Sequence, residues 1–542
     1  MRRLTLCLLV ASALRLDGQT AKHQPLDSVA ISDIATLLML EDTRSFDQPE
    51  LTRLLASLHP EVRRRAMLSV ARLRDARGIG LLRAAPLDAD TALAATRVFA
   101  VGQLHDTLTI PWLDSLLSNS ETPPTVLAEA ACALGKIKTA AAREALARFL
   151  TRAVADSRTS DAIGEALLSI GRSTARGDIA PIVKWTASTN ENIRWRATWA
   201  LFRPRDPAAV PALLTLARDR SALVRSWAVR GLAKPQADSA LAGDRAEGAL
   251  IAAAADADRR VRTEAVRALA TYNDSAAVAR LVDALDSKDS WISVSAAEGL
   301  AREREGWTIP KLLDAARGPR SCALRVTAMR TLNAFANAEA RTIAAEMASD
   351  SASYCRNAAA QLLRDTIQNA GRGGRRGPRP AVAITARPMA EYRAIVERWI
   401  VPAYAGRPLP RAHWETSRGA IEIELYAGDA PLAMDALERL TIAGTIIGTE
   451  FTRVVPDFVD QQATIRDAAV QRDEVNRHRL NRGNLAWASA GLDTGRPGYT
   501  LNHTPQPHNE GDFTSLGRVV AGQDVVDRIE LGDRIVSAEL RR

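Results

Sequence analysis

The sequence predicts two regions of different fold class: an all-α superhelical array over the first two thirds of the chain, followed by a mainly-β domain. Three observations support this. A short motif recurs at spacings of 31 to 37 residues between about residues 50 and 365. A Gly/Arg/Pro-rich stretch then breaks the pattern at 369–388. From about His413 onward the apolar residues alternate, as in strands with one buried face.

The N-terminus has the pattern of a secretory signal peptide. Arg2 and Arg3 precede the apolar stretch 4–14, which is too short to span a bilayer, and Ala11-Ser12-Ala13 offers a small-residue cleavage pattern. We therefore expect a signal peptide at 1–21, with its cleavage site within 13–21. The protein would then be exported, either periplasmic or extracellular, with no transmembrane segment after cleavage. A short buried N-terminal helix is the alternative.

Each copy of the recurring motif has the form Val-Arg-x-x-Ala-x-x-x-Leu, with apolar residues at helical spacing. Between the copies Asp, Asn, Pro and Gly gather in turns, so each unit reads as two short helices. One unit cannot bury its apolar face alone, and neighbouring units must stack into a continuous core. We expect about ten repeats over 28–368. The aligned alanines, with Arg97 in the same register of a degenerate copy, are Ala66, Ala130, Ala166, Ala197, Ala228, Ala265, Ala296, Ala328 and Ala359.

The repeated Val-Arg-x-x-Ala motif resembles that of short HEAT-like repeats. The resemblance implies an α-solenoid whose motif helices line a concave face that binds a protein partner. Trp195, Trp199, Trp227 and Arg196 fall on such helices, at positions that the repeat core does not require. Because aromatic residues and arginine are enriched at binding hot spots, we predict a partner-binding patch there. The alternative is that the tryptophans pack between repeats.

The basic composition leaves a nucleic-acid partner as an unfavoured alternative. The formal net charge is +9, but the arginines are spread along the chain and interleaved with Asp and Glu. The Gly/Arg/Pro-rich tract is one short copy, and we interpret 369–412 as a flexible basic linker followed by a short helix.

The cysteines do not form a disulfide scaffold, and no Cys/His cluster predicts a metal or cofactor. Cys7 would leave with the signal peptide. Cys322 and Cys355 fall in consecutive repeats, where they either pair or lie in the core as small apolar residues.

The C-terminal region 413–540 resembles the cyclophilins, the peptidyl-prolyl cis-trans isomerases (EC 5.2.1.8). It opens with the alternating strand 419–425 and a helix starting at Ala430-Pro431-Leu432. The resemblance continues to Ile535 through ordered landmarks, among them 472–476 and 516–522. It implies a closed eight-stranded β-barrel capped by two helices.

The stretch 451–461 resembles the active-site strand pair of that family. Arg453 falls on the catalytic arginine, Phe458 on the pocket phenylalanine and Gln461 on the glutamine that holds the substrate, while Val459 replaces a methionine. These residue types suit the chemistry, since amide rotation costs about 18–20 kcal/mol and the twisted prolyl nitrogen can accept a hydrogen bond from a guanidinium. No cofactor is required.

The far wall of the expected pocket departs from the family pattern. Gly498 stands where the family has a substrate-binding glutamine, and Thr500 stands in place of a pocket phenylalanine. His508 and Asn509 align with an aromatic residue and a leucine, and Phe513 with a histidine or tyrosine. We therefore expect a wider and more polar substrate-binding pocket.

Together these patterns predict an exported folding factor that acts on X-Pro bonds of protein clients, with the solenoid as partner-binding scaffold. The alternative is a catalytically weak or inactive peptide-binding domain within a non-enzymatic scaffold.

Overall fold

The computed structural model describes residues 24–84, 89–303, 305–365, 386–465 and 468–542. The predicted signal peptide lies outside these residues, as does the Gly/Arg/Pro-rich part of the predicted linker. None of the helices within these ranges has the length and apolar character needed to cross a bilayer.

Helices fill the described chain from Ser28 to Asp365, most of them paired across short turns. They are α1 (Ser28–Thr43), α2 (Gln48–Leu55), α3 (Pro60–Leu73), α4 (Gly78–Ala84), α5 (Thr91–Gln103), α6 (Ile110–Ser118), α7 (Pro124–Ile137), α8 (Ala140–Arg152), α9 (Ser160–Arg172), α10 (Ala180–Val183), α11 (Glu191–Phe202), α12 (Val210–Leu216), α13 (Ala222–Arg230), α14 (Lys234–Ser239), α15 (Gly243–Ala253), α16 (Arg259–Leu269), α17 (Ser275–Leu285), α18 (Ser290–Glu303), α19 (Ile309–Arg317), α20 (Cys322–Ala334), α21 (Glu339–Met347) and α22 (Ser353–Asp365).

The motif lies on one helix of each repeat, and these motif helices stack in chain order from α3 through α5, α7, α9, α11, α13, α16, α18 and α20 to α22. Each aligned alanine is completely buried, with 0% of its surface exposed. Small residues permit this close packing. A Cβ on Gly135 of α7 would lie 2.7 Å from the Cα of Ser169 on α9, so the two backbones touch there. An apolar core runs through the array from α5 to α22.

The motif arginine fastens the turn that precedes its own helix. In each of several described copies its Nη1 donates to the carbonyl oxygens five and six residues earlier in the chain. Arg225 also pairs with Asp256 of the next repeat at 2.8 Å. A planar guanidinium carries several donors, so one side chain can hold its turn and reach a neighbouring repeat. The arginines with this turn geometry are Arg63, Arg194, Arg225, Arg262 and Arg356.

Cys322 and Cys355 form a disulfide bond that joins α20 to α22. Of the two alternatives that the sequence left open, pairing is the one present. Cys132 is buried and free.

The C-terminal domain begins with a helical segment and continues as a sheet. Its elements are α23 (Met389–Ile395), α24 (Val401–Tyr404), β1 (Arg411–Thr416), β2 (Gly419–Leu425), α25 (Pro431–Ile442), β3 (Phe451–Val455), β4 (Val459–Gln462), β5 (Asn484–Trp487), β6 (Tyr499–Asn502), β7 (Ser515–Ala521), α26 (Gln523–Val526) and β8 (Ile535–Arg541).

Within the described residues eight strands form one antiparallel sheet in the order β3-β4-β6-β5-β7-β2-β1-β8. The prediction of a closed barrel is wrong, because no ladder joins the edge strands β3 and β8 there. They approach through an isolated bridge between Glu450 and Arg534. A register shift between Phe451 and Arg453 bends β3 beyond this point. The sheet is therefore an open half-barrel.

The C-terminal domain packs against the motif helices of the array. One apolar core joins α1, α2 and α3 to α23, α25 and the sheet. Farther along, arginines of the motif helices donate to backbone carbonyl oxygens of the domain. These pairs are Arg65 to Gly428 at 2.9 Å, Arg72 to Asp429 at 2.6 Å, Arg172 to Pro507 at 2.9 Å, Arg259 to Asp527 at 2.8 Å and Arg267 to Pro456 at 3.1 Å.

A buried charge cluster adds to this contact. Arg172 of α9 pairs with Glu510, and Arg479 lies 3.0 Å from Glu165 of α9 and 3.1 Å from Glu510. Both glutamate side chains are less than a tenth exposed. Since an unpaired charge in such a place is costly, these pairs define one docked position.

Candidate functional site

Four strands bring the central residues of the site into one row. Arg453 on β3 is the register partner of Gln461 on β4, Gln461 is the partner of Thr500 on β6, and Thr500 is the partner of Ala486 on β5. In an antiparallel sheet, directly opposed residues project on the same face. The pairing of β3, β4, β6 and β5 therefore builds the floor of a site from residues that lie up to 47 positions apart.

The row opens into a cavity of about 240 Å³. All the residues predicted for the substrate site line it, namely Arg453, Phe458, Val459, Gln461, Thr500, Asn509 and Phe513. Two other positions that the family resemblance aligned with the pocket, Gly498 and His508, are not part of the cavity lining.

Arg453 is held above the aromatic floor of the cavity. Its Cζ lies 5.6 Å from the centre of the Phe458 ring, within the range of a cation–π contact. Its Nη1 donates to Gln461 Oε1 over 3.4 Å, which is a long hydrogen bond. Burial lowers the pKa of Arg453 from its usual value, yet an arginine remains charged at neutral pH. Because one weak bond engages only one of five N–H donors, the guanidinium can donate to a bound molecule.

A loop residue that the sequence reasoning missed fixes the aromatic floor. Gln506 donates through Nε2 to the carbonyl oxygen of Phe458 at 2.9 Å and to Asn502 Oδ1 at 3.0 Å. Asn509 in turn donates to Gln506 Oε1 at 2.8 Å. Asn502 and Gln506 both line the cavity. Asn502 could have been found from the sequence, because it lies two residues after Thr500 on β6 and alternate strand residues share a face.

His508 extends the aromatic floor toward the helical array. Its ring stacks on that of Phe458, with centres 5.9 Å apart and planes inclined by 19°. Burial, together with the positive charges of Arg203, Arg230 and Arg172, lowers the pKa of His508 to about 4. The imidazole is therefore neutral at physiological pH.

Beneath β4 lies a buried carboxyl group that the sequence did not single out. Asp460 is fully buried, and its Oδ2 lies 2.8 Å from Nε2 of the equally buried His503. Burial raises the pKa of Asp460 to about 6. The His503 ring stacks on Trp291 of α18 at 4.5 Å, and Arg259 covers the other side of that indole at 4.0 Å. The active-site strand is thus connected to the array through a stack of side chains.

The predicted partner-binding patch on the solenoid is not an exposed surface. Trp195, Trp199 and Trp227 are 5%, 0% and 3% exposed. The Trp199 ring packs against Gly171 of the preceding motif helix, where a Cβ would come within 2.5 Å of it. Arg196 lies over the Trp195 ring at 5.4 Å. Trp199 therefore packs between repeats where a glycine makes room for its indole, and Trp227 packs on Phe202 of α11 with ring centres 5.8 Å apart.

Comparison with known proteins agrees with this geometry. Residues 412–539 match the family model described as cyclophilin type peptidyl-prolyl cis-trans isomerase/CLD. Peptidyl-prolyl cis-trans isomerase B of Bacillus subtilis is 34% identical over 121 residues, which cover 85% of that protein and 21% of this chain. The chain belongs to the cyclophilin-type peptidyl-prolyl cis-trans isomerase family. A peptidyl-prolyl cis-trans isomerase of Synechococcus elongatus is 29% identical over 140 residues, 97% of its length and 24% of this chain.

Outside the cyclophilin domain, residues 179–243, 224–301 and 247–321 match the HEAT-repeat model. HEAT repeats are scaffolds for protein interaction, and cyclophilin domains bind proline-containing peptides.

Two solved structures resemble parts of the chain. The crystal structure of a cyclophilin type peptidyl-prolyl cis-trans isomerase of Cryptosporidium parvum covers 24% of this chain and 97% of its own, with a TM-score of 0.23 and 16% identity. An engineered protein covers 58% of this chain and 97% of its own, with a TM-score of 0.37 and 19% identity.

Proposed function

We propose that the cyclophilin domain of this chain catalyses cis–trans isomerisation of X-Pro bonds in polypeptides. The observation that carries the proposal is the position of the Arg453 guanidinium, which lies beside Gln461 and above Phe458 and keeps N–H donors for a bound molecule. That arrangement places a charged donor where a proline ring would rest on an aromatic floor.

The mechanism follows from where charge changes during rotation. As the amide twists, resonance is lost and the prolyl nitrogen regains a lone pair, which can accept a hydrogen bond from Arg453. This bond forms only in the twisted state, so it lowers the barrier rather than merely binding substrate. Gln461 accepts from Arg453 through Oε1, and its Nε2 can donate to the carbonyl of a neighbouring substrate residue. The reaction needs no nucleophile and no proton transfer.

The opposite wall makes slow catalysis the expected result. Thr500 replaces an aromatic residue, and its Oγ1 donates to the Ala486 carbonyl at 3.3 Å. Losing apolar contact on a proline ring costs up to about 1.5–3 kcal/mol when the contact is fully buried. The same feature favours the second candidate, a domain that binds peptides with little or no catalysis.

The test is a proline-isomerisation assay on the full chain, because the cyclophilin domain shares its core with α1 to α3. We expect Arg453→Ala to lower kcat/KM by about 10- to 100-fold, the equivalent of about 1.4–2.7 kcal/mol of lost transition-state stabilisation. Arg518→Ala is the matched control, since Arg518 is an exposed arginine of β7 that does not line the cavity. Wild-type rates equal to buffer, with peptide binding retained, would leave the peptide-binding candidate instead.

We also propose that the protein is exported and assists folding of protein clients. The disulfide between Cys322 and Cys355 supports an oxidising compartment, where such bonds persist. Cell fractionation with N-terminal sequencing of the mature chain tests this. Recovery in the cytosol with Met1 still present would contradict export.

A further inference from the structure

A second cavity, of about 590 Å³, adjoins the isomerase pocket. It lies where the C-terminal ends of α13, α16 and α18 face β3 of the cyclophilin domain. Arg453 and Phe458 line both cavities. A polypeptide with its proline over Phe458 therefore has a second space to enter, built mostly from the helical array and more than twice as large as the first.

The second cavity is lined by more positive than negative side chains. Its lining contains five arginines and two glutamates. Glu264 is engaged by two of these arginines, since it lies 2.5 Å from Arg230 and 3.0 Å from Arg267. Arg205 and Arg302 are exposed, and within the described part of the chain neither has a carboxylate at salt-bridge distance.

The remaining acidic residue, Glu298, offsets one more of the five positive charges. Glu298 lies on α18 one turn before Arg302, and desolvation raises the pKa of its carboxyl group. The lining therefore has three more guanidinium groups than carboxyl groups, and Arg205, Arg302 and Arg453 lie outside the ion pairs of Glu264. Such groups bind carboxylates in a planar, two-point geometry.

Apolar side chains in the same lining favour a polypeptide over a nucleic acid. Phe202 and Val455 lie among the arginines, and Phe458 connects the space to the proline site. A chain that fills both cavities would place a proline ring on Phe458, and this is a feature of a polypeptide and not of a nucleic acid.

We propose that this second cavity binds the residues that flank the proline of an acidic, extended polypeptide, so that the helical array selects acidic clients for the isomerase site. The inference rests on the proposed isomerase function, which it extends by naming the substrate class.

The test uses the full chain and six fluorescent peptides, each with one Ala-Pro centre. Each peptide carries three Asp, three Lys or three Ala residues, either before or after the Ala-Pro centre. For wild type we expect the Asp peptide to bind about tenfold more tightly than the Lys peptide by fluorescence anisotropy. We expect the same order in kcat/KM. Raising NaCl to 0.5 M should remove most of the difference, because exposed charges are screened over a few ångströms there.

The charge-reversal variant Arg205→Glu with Arg302→Glu should abolish or invert the preference. Arg341→Glu is the matched control, since Arg341 is an exposed arginine of α21 that does not line the cavity. It should keep the wild-type preference. Thermal unfolding of each variant verifies that the array is folded.

The outcomes separate this inference from the proposed function. If the Ala peptide is isomerised but the Asp and Lys peptides bind equally, the acidic-client inference fails and the isomerase stands. If the Asp preference exists and depends on Arg205 and Arg302 while no peptide is isomerised faster than in buffer, the cavity stands and the isomerase fails. Tighter binding of single-stranded oligo(U) than of the Asp peptide, lost in the double variant, would overturn the inference in favour of a nucleic-acid partner.

Discussion

Replacing Arg72 by methionine should loosen the cyclophilin domain from the array. Arg72 lies on α3 with its side chain 2% exposed. Its Nη1 pairs with Glu41 of α1 at 2.8 Å. Its Nη2 donates to the Asp429 carbonyl at 2.6 Å, and its Nε donates to the Val475 carbonyl at 3.1 Å. One side chain therefore joins the first helices to two loops of the cyclophilin domain.

The size of the expected loss of stability follows from the carboxylate that Arg72→Met leaves without its ion-pair partner. The methionine fills much of the volume, but the buried Glu41 carboxylate then retains only its hydrogen bond from Ser69 among the described partners. Removing one partner of a buried ion pair costs about 3–5 kcal/mol, most of it from the uncompensated charge. If the domain opens from the array before it unfolds, an increase of 4 kcal/mol in the free energy of the docked state accelerates amide exchange at the contact about a thousandfold.

Hydrogen exchange with mass spectrometry measures the amide-exchange rate of the segment 473–480. Arg148→Met is the control, because Arg148 forms an exposed ion pair with Asp114 that is worth at most about 1 kcal/mol. Adding Glu41→Gln to Arg72→Met should recover a large part of the loss, since the buried charge is then gone. Equal exchange in the Arg72→Met and Arg148→Met proteins would refute the reasoning, and so would a double variant less stable than the single one.

Three further changes test the fold. Substituting Ser for both Cys322 and Cys355 should lower the free energy of unfolding by about 2–4 kcal/mol, because the unfolded chain gains conformational entropy without the disulfide. The thermal midpoint of the variant should be lower than that of the wild type, and dithiothreitol should no longer change it. Gly517→Ala should cost about 1–3 kcal/mol in urea unfolding, because its Cβ would lie 2.4 Å from a carbonyl oxygen of β2. Gly248→Ala lies inside α15 with open space and should instead stabilise by about 0.5–1 kcal/mol. Burial raises the pKa of Asp460 to about 6, above about 3.9 in an unfolded chain, so its contribution is full below pH 4 and is lost as the pH rises through 6. Asp460→Asn should remove roughly 3 kcal/mol of that dependence between pH 4 and 7, and an unchanged pH profile of the urea midpoint would contradict the assignment.

The repeat array could be predicted from the sequence because its packing is local. Consecutive motif helices pack on one another and bury the alanine of each motif, so the spacing of the alanines along the chain records the contact directly. The tryptophans were misjudged for a related reason. Trp199 is large and occupies a position that the motif does not specify, but Gly171 on the preceding motif helix leaves room for its ring. The glycine was visible in the sequence, although its alignment with the indole depends on how two helices approach.

The domain contact could not be predicted, because its residues look like ordinary surface charges. Arg172 and Arg259 are interleaved with acidic residues, as solvated arginines are. In the structure they donate to carbonyl oxygens 335 and 268 residues away in sequence. Neither spacing nor composition records a bond to a backbone carbonyl, since every residue offers the same acceptor.

The docking contact and one departure from the family pattern involve the same loop. The loop that contains His508 and Asn509 is also the loop that rests on the array. The Pro507 carbonyl accepts from Arg172, Glu510 pairs with the same arginine, and the Gly511 carbonyl accepts from Arg74 at 2.6 Å. These contacts hold the loop in a position set by the array, from which His508 stacks on Phe458 and Asn509 lines the isomerase pocket. One loop therefore takes part both in the docking contact and in the isomerase pocket, while the ends of α13, α16 and α18 line the adjoining second cavity.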